Sequence, residues 1–422
     1  LRGAKIFITS GHGKYHLVIA RTEEATESDN PMAGLAGLSM FLVPAYEQLP
    51  DGTRKRFVTI DRVEEKLGHH GSPTCSLNFE GSPAHLIGKR GEGFRYMLTL
   101  MNNARIGVGF ECVGLCEAAY RQARDYARER HSMGKTIDRH EMIADYFEEM
   151  RTDIQGLRAL AMHAAFHEEM THRLEVCAAS GETEFGGRDI EKTIASHRRK
   201  SRRATPLLKY LAAEKSVEIS RRALQIHGGN GFITEYPAEK LLRDSLVMPL
   251  YEGTSQIQSL MAMKDTLNAI LRNPQGFVVR TAKAQWRSVS ARDDLERRVG
   301  KLQLLSFRAQ QYLLARTAGG KFRRVVDQPI TRWPKSFFRD WDPKRDFAFA
   351  MLHAERLTRL LADVLISEVL LAQAKVHADR REVLERYLDR AEPRCRFLVD
   401  EITSTGTRLL RSLDPMQAEA AE

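Results

Sequence analysis

Long hydrophobic runs are missing from this 422-residue chain: no apolar stretch approaches the roughly 20 residues of a membrane-spanning helix. Cysteine is scarce. The five residues Cys75, Cys112, Cys116, Cys177 and Cys395 are odd in number and form no CxxC pair, which excludes a disulfide framework and a cysteine zinc site. They fit a reducing compartment, and a cytoplasmic location is expected. Cys112 and Cys116 lie four apart, on one helical face, and read as small core residues. The 14 prolines and 29 glycines follow no period and form no low-complexity tract, which excludes a collagen-like chain. A charged-then-apolar leader is also lacking. The sequence enters a strand-like run directly from Leu1 and reads as the C-terminal part of something longer.

What is present is ordinary for a globular protein: 42% hydrophobic and 28% charged residues, on a length that suits two or three domains. The net charge of +10 is unevenly placed. Residues 1–270 carry 36 basic and 35 acidic side chains, whereas residues 271–422 carry 29 and 20. Residues 1–90 read as β structure, with runs KIFIT at 5–9, HLVIA at 16–20, LSMFLVP at 38–44 and RFVTI at 56–60 between polar turns. The polar stretch 22–34 reads as a surface loop, and the strand spacing suggests a small sandwich or barrel.

The period then changes to that of helices. Val113, Cys116, Tyr120, Ala123 and Ala127 form a stripe on a helix from Phe94 to about Arg130. A second helix is expected over 138–170, with Ile143, Tyr146, Met150, Ile154, Leu157 and Ala161 on one face. Asp138 and Glu141 would form its capping box. Residues 171–204 read as a connection or insertion, not a core element, ending in the basic run HRRKSRR at 197–203, and a third helix is expected after Thr205-Pro206, ending at His227-Gly228-Gly229. A fourth is expected from Thr254. Beyond Asn273-Pro274 the chain reads as helical again, with Ala350, Ala354, Leu357, Leu361 and Val364 on one face and interruptions at Pro329, Pro334 and Pro343. The fold class expected is α+β: a β-barrel or sandwich domain over 1–90, a four-helix bundle over 91–275 and an additional helical domain over 276–422.

Three windows carry chemistry. In 243–258, RDSLVMPLYEGTSQIQ, Glu252 follows five apolar residues, and a desolvated carboxylate has its pKa raised toward that of a usable general base. The plainer reading is a Glu in a loop before a helix capped by Thr254. In Gln225-Ile226-His227-Gly228-Gly229 the glycines stop a helix, or let backbone approach a phosphate or ring. In Arg128-Glu129-Arg130-His131-Ser132-Met133-Gly134, Arg130 is placed to fork onto a phosphate or to face a helix dipole.

These windows, in order and spacing, resemble the acyl-CoA dehydrogenases. Lys5-Ile6-Phe7-Ile8-Thr9 is similar to that family's W/F-I-T strand, 67–74 (LGHHGSPT) to LGxRGSxT, and 86–94 to LLGxxGxGF. Residues 130–134 resemble RxxFG, with Met133 where Phe is usual; 225–229 resemble QxxGG; and 251–254 (YEGT) resemble the signature holding the catalytic base. The resemblance covers residues 1 to about 270, and the appended helices resemble those of longer bacterial members. It implies an FAD-dependent oxidoreductase in which Glu252 removes the α-proton of an acyl-CoA and the β-hydrogen leaves as hydride to FAD, giving trans-2-enoyl-CoA for fatty-acid β-oxidation. The Glu252 backbone N–H and a flavin hydroxyl would polarise the thioester carbonyl. Phe7, Ile8 and Thr9 would line the isoalloxazine, and Thr254, Ser255 and Gln256 would contact FAD. Arg130 and Gln225, Ile226, His227, Gly228 and Gly229 would reach FAD of a neighbouring subunit in a homodimer or homotetramer. Asn102, Arg105 and Gly253 would contact substrate, and an electron-transfer flavoprotein would reoxidise the flavin.

No metal site is expected: His163 and His167, with Glu168 and His172 nearby, read as a solvated helix face. The basic tail supports a second reading, a non-catalytic flavoprotein that contacts DNA or an anionic membrane through 276–422. Its interleaved acidic residues disfavour that reading.

Overall fold

The computed structural model describes residues 1–23, 33–326 and 347–413. Residues 24–32 of the expected loop at 22–34 fall outside the described residues, as do Pro329, Pro334 and Pro343. The chain divides into two compact units, Leu1–Ala104 and Arg105–Glu422.

The first unit is built on antiparallel strands β1 (Arg2–Thr9), β2 (Tyr15–Arg21), β3 (Leu38–Pro44), β4 (Tyr46–Gln48), β5 (Arg54–Arg56), β6 (Val58–Val63), β7 (Thr74–Glu80) and β8 (His85–Ile87). β7 pairs with both β1 and β6, β3 with both β2 and β8, and β4 with β5 alone. Alternation works as expected: Val18, Val43, Val58, Cys75, Leu77 and Phe79 point into one small core contributed by both three-stranded sheets. The sheets remain open, and among the described residues no barrel closes. The expected strand at 56–60 is interrupted at Phe57, whose N–H donates to Ala45.

The second unit is helical. α1 (Gly93–Glu129) starts in the first unit and continues into the second. A hairpin of β9 (His131–Ser132) and β10 (Lys135–Thr136) follows, then α2 (Glu141–Ala179), the hairpin β11 (Glu184–Phe185) and β12 (Arg188–Asp189), and α3 (Ile190–His227). The short α4 (Ala238–Ser245), α5 (Ser255–Arg272), α6 (Pro274–Ser290), α7 (Asp294–Val326), α8 (Ala348–Leu352), α9 (Ala354–Ala374), α10 (Arg380–Ser404) and α11 (Thr407–Ser412) complete it. Among the described residues no helix is long and apolar enough to cross a membrane.

Two expectations fail here for local reasons. The capping box does not form: Asp138 sits in a 3-10 turn and accepts from Thr136 Oγ1 at 2.5 Å, so α2 begins later, after His140. Residues 171–204 are not a connection. α2 runs on to Ala179, and α3 starts at Ile190, capped by Asp189, which accepts from Lys192 N at 2.8 Å. Pro206 lies inside α3. The cost of a proline there is about 3 kcal/mol, and it is outweighed by the buried face that continues through it, from Ile190, Ile194 and Ala204 to Leu207, Leu208 and Leu211.

The helices after Asn273 share one hydrophobic core with α1, α2, α3 and α5. α10 approaches α2 so closely that a Cβ at Gly156 would lie 2.5 Å from Tyr387 Cε2. Beside it Arg394 forms two bonds to the fully buried Asp363, at 2.7 and 2.8 Å, and Tyr387 donates to Asp363 at 2.7 Å. Burial alone would raise the Asp363 pKa, but Arg394 overrides it and holds the carboxyl below its usual range.

The histidines on α2 differ from expectation. His167 is buried, and its Nδ1 lies 2.9 Å from Nδ1 of His197 on α3, with the His163 ring 4.5 Å away. The helix hairpin hides what α2 alone would leave in water. Burial, then the charges of His163, Lys200 and His197, lowers the His167 pKa to about 4. A base harder to protonate when folded gives stability that is complete above its unfolded pKa near 6.5 and is lost as pH falls toward 4. His167 alone is expected to remove about 2 kcal/mol between pH 7 and pH 5. Urea unfolding of the protein and of His167→Leu at both pH values checks this, and an equal pH slope in the two would refute it.

Candidate active site

α4 ends at Ser245, and the chain descends through Leu246–Leu250 in short turns. Met248 is fully buried, and its carbonyl accepts from Lys209 Nζ at 2.8 Å. Tyr251 donates to Glu111 Oε2 on α1 at 2.6 Å. Glu252 and Gly253 then take left-handed φ angles, +53° and +87°. A glutamate there stores strain of about 1 kcal/mol, which the surroundings must hold in place. They do so through its carbonyl, which accepts from Arg105 Nε at 3.3 Å and Gln258 Nε2 at 3.2 Å. Gly253 is favoured by its φ, and a Cβ there would also press on Gln258 Nε2, 2.6 Å away, one of the groups that hold the Glu252 carbonyl.

Thr254 then caps α5, accepting from Ile257 N at 3.3 Å, as its position before the helix predicts. Ser255 is buried and donates to Glu214. Gln256, expected at a cofactor, donates to Glu355 of α9 at 2.7 Å. Glu252 itself is half-buried. The arrangement is a carboxylate on a rigid reverse turn at a helix N-terminus, suited to taking a proton from a bound acid.

Two cations lie beneath this turn. Arg105 is 4% exposed, and burial lowers its pKa against the opposing charge of Glu252. It faces the base loop from the bundle interior, whereas Asn102, one turn earlier on α1, is exposed. Lys209 is 0% exposed, and burial lowers its pKa to about 8. Sequence reasoning missed Lys209, Gln258, Glu111 and Glu214. A signal for the first was there: Lys209 interrupts the apolar run from Pro206 to Ala213, where a charge is expected only with a partner.

The other expected residues are divided between the two units. Ile226 and His227 are buried, and His227 bonds the Ala223 carbonyl at 2.7 Å and stacks on Tyr126 with ring centres 4.5 Å apart. They anchor a turn whose Gln225, Gly228 and Gly229 are more open to solvent, with Gly228 at φ +59°. Arg130 is exposed at the foot of the β9–β10 hairpin, whose tip is Met133-Gly134, both at positive φ. In the first unit, β1 bulges between Lys5 and Ile8, which takes Ile6 and Phe7 out of register with β7. Phe7 adopts φ +57° and is 68% exposed, a strained aromatic displayed on a strand. Ile8 and Thr9 rejoin the ladder opposite Cys75 and Thr74. Among the described residues three carboxylates, Glu149, Asp153 and Glu218, lie close enough to share an ion. Lys215 Nζ already sits 2.6 Å from Asp153 and 2.9 Å from Glu218.

The helical bundle presents a strained Glu-Gly turn just before a capped helix, and comparison with known proteins finds chains similar to this one. The family model described as acyl-CoA dehydrogenase, C-terminal domain, matches residues 91–180 and 190–267. A 3-methylmercaptopropionyl-CoA dehydrogenase of Ruegeria pomeroyi is 32% identical over 276 residues, 61% of this chain and 43% of that protein. An acyl-CoA dehydrogenase of Bacillus subtilis is 32% identical over 267 residues, 63% of this chain and 60% of that protein. A solved acyl-CoA dehydrogenase of Bacillus anthracis, complexed with FAD, superposes with a TM-score of 0.67 at 17% identity, over 98% of this chain and 64% of that one, and shows the fold. The chain is thus similar to acyl-CoA dehydrogenases, through the match to their C-terminal domain over residues 91–180 and 190–267. It spans less than two thirds of the length of these relatives.

Proposed function

We propose that this protein is an FAD-dependent acyl-CoA dehydrogenase in which Glu252 is the base. The observation that carries the reading is the Glu252 turn: a strained carboxylate residue whose carbonyl is gripped by Arg105 and Gln258. An α-proton of a thioester is too weakly acidic for a mobile, solvated carboxylate, so the base must be placed and the developing enolate stabilised. Glu252 takes the α-proton, its own N–H donates to the thioester carbonyl, and Asn102 and Gly253 contact substrate. Arg105 serves by holding the base turn. FAD, when bound, accepts the β-hydrogen with its electron pair.

The residues present fit that cofactor. On the first unit, the bulge offers Phe7 as an exposed flat side chain, beside Ile8 and Thr9. On the second unit, Thr254 and Ser255 open α5, and Arg130 with the Gln225–Gly229 turn would serve a second copy in a homodimer or homotetramer. Gln256, in the first turn of α5, would contact FAD as well. An electron-transfer flavoprotein is the proposed acceptor, and fatty-acid β-oxidation the proposed setting. The alternative of DNA or membrane contact through 276–422 gains little from the geometry. Arg298 pairs with Asp389 and Glu392, Arg381 with Asp293, and Arg390 with Asp145.

Supplied with FAD, the protein is expected to convert acyl-CoA to trans-2-enoyl-CoA with a dye acceptor, with one chain length preferred across a panel from short to long. No enoyl product from any of them would refute the reading.

A further inference from the structure

We propose that Lys209 is a positioning residue for the base: by holding the Met248 carbonyl it sets the path of residues 248–252 and so the place of the Glu252 carboxylate. The inference rests on the reading of Glu252 as base, and its support is geometric. Lys209 lies in the middle of α3, is 0% exposed, and directs its Nζ at Met248 O from 2.8 Å. A lysine is almost never buried this completely without a charged partner in contact, because its ammonium is strongly hydrated. Here the partner at hydrogen-bond distance is a backbone carbonyl four residues before the base.

The groups around Lys209 explain how the charge is tolerated. Glu214 on α3 and Glu252 on the loop favour its charged form, while Arg105 on α1 opposes it. The Tyr251 ring, just before the base, lies with its centre 5.9 Å from Nζ. Downstream, Leu250 and Tyr251 N–H both donate to the Val247 carbonyl, and Ser255 N–H donates to Pro249, so the segment is a chain of short turns. In such a chain, displacing the Met248 carbonyl also displaces residues 249–252. Lys209 acts at one end of the segment, and Arg105 and Gln258 act at the other, on the Glu252 carbonyl. With both ends gripped from the bundle, the left-handed glutamate keeps a single orientation.

The test uses the FAD-loaded protein and two variants, Lys209→Met, which removes donor and charge, and Lys209→Gln, which keeps a donor. Three quantities are read: amide hydrogen exchange of residues 246–253 without substrate, kcat and KM for acyl-CoA, and enzyme-catalysed exchange of the substrate α-hydrogen with heavy water. Lys209→Met is expected to speed exchange of the loop amides at least tenfold while α1 and α3 amides keep their rates. It is also expected to lower kcat and α-hydrogen exchange about tenfold with KM within threefold, and Lys209→Gln to fall between. Unchanged loop amides and kcat in Lys209→Met would overturn the proposal. So would loosening spread equally through α1, α3 and the loop in both variants, because the lysine would then be a core residue only. If the parent protein neither exchanges the α-hydrogen nor forms enoyl-CoA, the functional reading falls, and the loop amides still decide what Lys209 holds.

Discussion

Glu252→Gln is expected to lower kcat for acyl-CoA dehydrogenation by roughly 10³-fold, within the range that a positioned general base contributes. Glutamine has the same shape and cannot take the α-proton. The hydrogen bonds that hold the turn do not use the side chain: those from Arg105 and Gln258 go to the backbone carbonyl, and Thr254 caps α5 independently. Flavin content, thermal midpoint and acyl-CoA affinity should therefore stay close to those of the parent. Single-turnover flavin reduction, followed by its absorbance, separates the outcomes. A variant reducing its flavin within tenfold of the parent rate would remove Glu252 from the role of base, whatever else it does.

The second large effect concerns stability. Asp363→Ala is expected to cost about 3–5 kcal/mol, the usual penalty for leaving one member of a buried ion pair without its partner. The carboxylate accepts both Arg394 bonds and the Tyr387 hydroxyl, and Asp363 and Tyr387 are both buried in the folded chain. Because the Asp363 pKa is depressed, this contribution is complete above the unfolded aspartate pKa and is lost only as pH falls through the lower folded value. The double variant Asp363→Leu with Arg394→Met should recover most of the loss, since an apolar pair of similar volume needs no desolvation. Urea unfolding measures both, and a loss below about 1 kcal/mol for Asp363→Ala would mean that the pair is stabilising little. The consequence reaches the site. α9 carries Asp363 and also Glu355, which holds Gln256 in the first turn of α5. Loosening α9 should therefore lower activity before the protein unfolds.

Several elements were legible without coordinates because their causes are local. The β3 run forms its strand as expected, and the α1 stripe at Val113, Cys116, Ala123 and Ala127 is buried as its spacing predicts. Asn273-Pro274 starts α6 with the asparagine side chain accepting from Gly276 N at 2.8 Å. The failures are also instructive. Pro206 looked like a helix start because a proline lacks its N–H, yet the face on either side of it is buried, and that burial prevails. His167 looked solvated because α2 by itself says nothing of α3 folding back across it.

The site divides along the same line. The Thr254 cap and the glycine turn after His227 are set by residues within one turn of each other, whereas the left-handed φ of Glu252 runs against local sterics and depends on what grips it. Such choices are governed by backbone sterics and short-range hydrogen bonds. What grips the turn could not be read in this way. Arg105 reaches the Glu252 carbonyl from 147 positions away in the chain, Lys209 reaches Met248 from 39, and Glu355 reaches Gln256 from 99. Which lysine or arginine is buried, and against which carbonyl, depends on how long helices pack, and only inside that packed core is a bond between a cation and a backbone carbonyl strong enough to hold a strained residue still.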